Sequence, residues 1–86
     1  MDIQATLSER GKTRGSFDIH ARVTQELKQV IDVYGHAMNH SHAEALDMIL
    51  HKIGRIIAGD PYCKDHWHDI AGYALLAEKV DKNATL

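Results

Sequence analysis

Apolar residues return every three to four positions through three separate stretches of the chain, the spacing of amphipathic helices. In the first stretch Ile19, Val23, Leu27, Val30, Ile31 and Tyr34 share one side of a helix that turns about 100° per residue. Ser16 is a good N-cap, Asp18 complements the dipole in the first turn, and Gly35 tolerates a left-handed C-terminal stop. This predicts a helix over about 17–34. The second stripe is Leu46, Ile49, Leu50, Ile53, Ile56 and Ile57, preceded by a loop over 36–40. Ser41-His-Ala-Glu44 has the form of a capping box, so the second helix is expected over about 42–58, ending near Gly59. Asp60-Pro61 is a third start signal, Asp as N-cap and Pro at the first helical position. It predicts a helix over about 61–81. No stretch has the period of a strand. The expected class is all-α, with a polar basic arm over 1–15 and a single helical domain over 16–86.

Three such helices enclose little. The chain has 86 residues, and only 6% of them are aromatic, so the core must be mostly aliphatic. Domains of this size are marginal alone, and the lone Cys63 cannot close an internal disulfide. Completion by a partner copy is therefore expected: a homo-oligomer, dimer or larger, joined as a helical bundle.

Charge and hydropathy remove several classes. A formal net charge of −2 is the wrong sign for a protein that grips bulk nucleic acid. In a helix-turn-helix the first turn of the recognition helix meets the bases, but here Glu44 and Asp47, or Asp65 and Asp69, would stand there. The apolar runs are only a few residues long, so no membrane association is expected. Met1-Asp-Ile-Gln has neither the basic start nor the apolar stretch of a signal peptide, which points to a cytoplasmic protein.

Candidate chemistry sits on the polar sides of the second and third helices. Opposite the stripe centred near Ile53 lie Glu44, Asp47, His51 and Arg55, with Met48 beside them and Lys52 on the flank. This is either a solvated face laced by pairs such as Asp47 with His51, or a polar site facing another helix of an oligomer. On the third helix Tyr62, Asp69, Tyr73, Leu76 and Val80 share a face, with Asp65 and His66 at its sides. A carboxylate within an apolar face is costly unless it is paired, hydrogen-bonded or bound to metal. Asp69 is thus expected to cap a neighbouring helix, to pair with Arg22, Lys52 or Arg55, to bind a metal, or to accept from a ligand's ribose or base. Seven histidines are many for this length, but His36, His40, His42, His66 and His68 come with no zinc-type spacing motif. Cys63 beside Lys64 at a helix start is expected to be a packing residue rather than a nucleophile.

The stretch from Glu44 to Tyr73, with Ser8-Glu-Arg-Gly11 and Gly15-Ser-Phe17, resembles a group of small phage and prophage proteins. A more distant resemblance is to the MazG-like all-α nucleotide pyrophosphohydrolases, which hold Mg²⁺ on a Glu-x-x-Glu and a later Glu-x-x-Asp. Carboxylates suit that hard ion, which bridges phosphates while water attacks. That resemblance would make Glu44, Asp47 and Asp69 the catalytic, metal-holding set, although His66 stands where the third carboxylate is expected. Imidazole is a poor magnesium ligand. The incomplete quartet favours a second expectation, without cofactor: a phage-type protein that sequesters a cyclic dinucleotide or cyclic ADP-ribose type signal of bacterial antiviral defence without cleaving it. Such a binder needs cations for phosphate, polar groups for base edges and faces for stacking. The expected ligand-binding set is Arg10, Lys12, Arg14, His51, Lys52, Arg55, Asp65, His66, Asp69 and Tyr73.

Overall fold

The computed structural model describes residues 3–4 and 15–82. Three helices follow in order: α1 (Phe17–Tyr34), α2 (His40–Ala58) and α3 (Lys64–Glu78). No strand occurs among the described residues, and the all-α expectation holds. None of these helices is long and apolar enough to cross a membrane.

The boundaries of α1 are those its periodicity predicts. Ser16 caps it, its hydroxyl accepting from the Ile19 N–H at 3.4 Å. Gly35 is not left-handed, however: it is extended, at φ −72°, and its N–H reaches the Ile31 carbonyl. α1 therefore stops by turning extended at Gly35, and residues 36–39 carry the reversal into α2 without a left-handed residue.

α2 starts earlier than expected, and the Ser41 capping box is not its start. Asn39 is the N-cap, its side-chain oxygen accepting from the His42 N–H at 2.8 Å. Asn caps at least as well as Ser, so the earlier of two capping residues wins and His40 enters the helix.

α3 starts later and ends sooner than the expected 61–81. Asp60-Pro61 builds a turn instead of a helix start. The Asp60 carboxylate accepts from the Tyr62 N–H at 2.8 Å, and the Cys63 N–H donates to the Asp60 carbonyl at 3.1 Å. Proline's fixed φ suits the second position of such a turn as well as a first helical position. Cys63 therefore becomes the N-cap of α3, and Tyr62 lies outside the helix, exposed. At the other end the Val80 N–H closes a tight turn onto Ala77.

α2 is the middle of a layer. α1 packs on one side of it, α3 on the other, and α1 and α3 do not touch. The α1 crossing is close because Gly54 has no side chain: a Cβ there would run into the His20 ring and the Thr24 hydroxyl. Gly15, at φ +74°, sets its Cα against the Ala58 carbonyl, a place no larger residue fits. On the α3 side the His42 ring donates through Nε2 to the Ala77 carbonyl at 3.1 Å, tying the start of α2 to the end of α3.

This arrangement leaves little enclosed. Among the described residues Ala45 and Leu50 are the buried hydrophobic side chains, and none is shut off completely. Thr24, Lys52 and His66 are buried as well. The face of α1 on α2 is offset from the centre of its apolar stripe: it runs through His20, Thr24 and Lys28, with only Ile31 from the stripe's edge. Ile19, Val30 and Tyr34 stay exposed.

The layer is two-sided. The α1–α2 groove carries Gln25, Lys28, Asp32 and Asp47, and the α2–α3 groove carries Ser41, Glu44, Tyr73 and Leu76. Glu44 and Asp47 belong to one edge of α2, so both grooves open on the same, polar side. Helical periodicity then turns Ile53 and Ile57 of α2, Val30 of α1 and Trp67 of α3 towards the opposite side.

Candidate functional site: the groove between α2 and α3

Lys52 is the least expected of the buried groups. A long cationic side chain on the flank of a helical stripe normally reaches water, but Lys52 is only 8% exposed. α3 covers it, and its Nζ meets the Asp69 carboxylate at 2.9 Å. Of the three cations open to Asp69 in the sequence, this is its ion-pair partner. Burying the ammonium is tolerable because the pair forms and because the methylene stem packs between the helices.

Asp69 stands at the mouth of the interface, its side chain about 41% exposed. The hydrogen bond from Lys52 holds its carboxyl below the usual carboxylate range, and the charges of Lys52, His68 and His66 add to this, against a smaller opposing effect of burial. It is therefore an ionised acceptor held in place from below, with one side turned to solvent.

That side borders a groove of about 480 Å³ lined by His68, Asp69, Gly72, Tyr73 and Leu76. The volume lies within the ~300–1,000 Å³ of small-ligand sites. Tyr73 and Leu76 also line its continuation towards the start of α2, with His40, Ser41, Glu44 and Ala45. Gly72 leaves the floor open, since a Cβ there would meet nothing within 4 Å.

The other expected site residues are dispersed. His51 lies on the α1 side of α2, its ring edge-to-face with that of His20 at 5.5 Å between centroids. The His20 ring also donates to the His51 carbonyl at 3.2 Å. Burial pushes the His51 imidazole below its ordinary value, and Lys28, Arg55 and Lys52 push it further against the pull of Asp47. Arg55 is half-buried on the polar edge of α2. His66 is buried, not at the side of an open face, and Asp65 is exposed in the first turn of α3. Trp67 anchors its indole N–H on the Pro61 carbonyl at 2.8 Å. Arg10, Lys12 and Arg14 lie outside the described residues.

The carboxylates Glu44, Asp47 and Asp69 do not form one cluster. Glu44 lines the α3 groove, Asp47 the α1 groove, and Asp69 is engaged by Lys52. Among the described residues no three His, Cys, Asp or Glu side chains are placed to hold one ion.

Gly72 of the groove is not among the expected site residues, and His68 is expected only among the histidines without a metal-site motif. They fall one turn apart beside Asp69 and Tyr73, so the helical spacing that united Asp69, Tyr73 and Leu76 reaches them too.

The sequence profile of a family described as Domain of unknown function (DUF6378) matches residues 4–81. The chain belongs to that family. The match takes in all three helices, so the Lys52–Asp69 pair and the Tyr73 groove lie wholly inside the DUF6378 domain. No curated protein and no solved structure matches the chain.

Proposed function

We propose that this DUF6378 chain is a phage-type, homo-oligomeric nucleotide-binding protein of the bacterial cytoplasm, which sequesters a signalling nucleotide of antiviral defence without cleaving it. The observation that carries this reading is an ionised acceptor, Asp69, fixed by buried Lys52 beside the Tyr73 ring on an open groove. In this reading Asp69 accepts from a ribose hydroxyl or a base edge, and Tyr73 and Leu76 supply the face on which a base rests. Lys52 spends its charge on Asp69 and positions it. The phosphates fall to Arg55 and to the arm cations Arg10, Lys12 and Arg14.

Sequestration is preferred to Mg²⁺-dependent pyrophosphate hydrolysis of the MazG type for a geometric reason. Two-sided clamping of a triphosphate needs carboxylates that converge on the metal, whereas Asp47 and Glu44 line different grooves.

The test incubates the protein and Mg²⁺ with nucleoside triphosphates, cyclic dinucleotides and cyclic ADP-ribose species, filters off the protein, heats it, and analyses both fractions by mass spectrometry. Depletion from the filtrate with intact recovery on heating is the expected result, lost in Tyr73→Ala. Monophosphate and pyrophosphate in the filtrate would instead establish hydrolysis. Ligands that all stay free and whole would overturn both.

A further inference from the structure

The apolar side of the helix layer has no cover from the chain's own three helices. Ile19 is 51% exposed, Val30 54%, Ile57 60% and Trp67 53%. These come from all three helices, and Leu46 and Ile53 of α2 lie half-buried between them. A residue that exposed leaves on the order of 100 Å² in water. Together with the half-buried neighbours the face offers roughly 500 Å², more than half of the ~800 Å² per partner of a standard interface.

We propose that a second copy of the chain covers this face, the two layers meeting apolar side to apolar side about a twofold axis. An identical copy matches in width and chemistry because a twofold interface uses the same patch on both subunits. It also adds to a small core, since Ala45 and Leu50 are the buried hydrophobic side chains among the described residues. The pairing fixes where the ligand groove lies. Asp69, Tyr73 and Glu44 are on the polar side, so each groove is built within one chain and faces outward, two to a dimer. The inference rests on the oligomeric part of the function proposed above and is independent of its ligand.

Sedimentation velocity across a dilution series, with Trp67 emission read in parallel, tests it. Trp67 is the only tryptophan, so its emission should move to the red as the assembled protein dissociates. Val30→Asp and Ile57→Asp should yield monomers, while Leu76→Asp, an equally exposed position on the polar side, should stay assembled. A wild-type monomer, Asp variants that assemble like wild type, dissociation by Leu76→Asp, or Trp67 emission unchanged on dissociation would each overturn the proposal. The wild-type emission series decides even if an Asp variant fails to fold. An assembled Leu76→Asp that binds no nucleotide would leave the dimer standing, and an assembled wild type that binds none would sink only the ligand reading.

Discussion

Lys52 and Asp69 form an unequal pair: at 2.9 Å the ammonium lies buried between two helices while its carboxylate partner stands nearly half in water. The two residues therefore do different things. Lys52 depends on Asp69 to be tolerated where it is, whereas Asp69 depends on Lys52 only for its orientation.

The pair should respond unequally to substitution. Asp69→Asn leaves a buried cation without its counter-charge and should lower Tm by roughly 5–10 °C, while Lys52→Met, which keeps the stem and removes the charge, should cost little. Asp69 has its pKa lowered in the folded chain from an ordinary 3.8. Its contribution is thus complete above that value and is lost as pH falls through the lower folded value. Thermal melts of wild type and Asp69→Asn should converge in strong acid and separate above pH 4 or so.

His51 gives a second, milder pH dependence. Its folded pKa lies below the ordinary 6.5, so folding favours the neutral ring. The resulting stability is complete above 6.5 and declines as pH falls through the folded value. His51→Gln should flatten the fall of Tm across this range relative to wild type, and proton NMR should show the His51 ring titrating below the ordinary 6.5. A His51 that titrates at or above 6.5 would contradict the desolvation argument.

The helix crossing at Gly54 should tolerate no side chain. Gly54→Ala would improve helix propensity, yet its methyl meets His20 and Thr24, and the overpacking should cost about 1–3 kcal/mol in chemical denaturation. Thr24 offers the converse. Its hydroxyl is buried without a hydrogen-bond partner, so Thr24→Val should be neutral or stabilising by up to about 1 kcal/mol.

Capping of α2 separates two neighbouring residues. Asn39→Ala removes the acceptor of the His42 N–H and should cost about 1 kcal/mol. Ser41→Ala lies inside the helix and should change stability by less than about 0.5 kcal/mol. The opposite ranking would restore Ser41 as the start.

The bounds of α1 were legible because one capping residue precedes one unbroken period, Ser16 and then Ile19 to Tyr34. α2 and α3 were blurred where a residue type serves two motifs. Asn39 and Ser41 are both caps, and Asp60-Pro61 begins turns as readily as helices. The Asp69 face and Tyr73 could be read from spacing alone. The burial of Lys52 could not. Periodicity places it on the flank of α2, and only the line along which α3 crosses decides whether that flank meets protein or water. For the same reason the stripe of α1 announced an apolar surface without saying that Thr24 and His20, rather than Val30, would meet α2.

Because α1 and α3 each touch α2 and never one another, each of these three helices, among the described residues, packs only against its neighbour in sequence. The chain is two hairpins that share a strut, and both can form without closing a long loop. Chains dominated by such short-range pairings fold in microseconds to milliseconds. The encounter of two layers is slower and depends on concentration. In the dimer proposed above, assembly rather than the folding of the single chain would set the pace at which the finished protein appears.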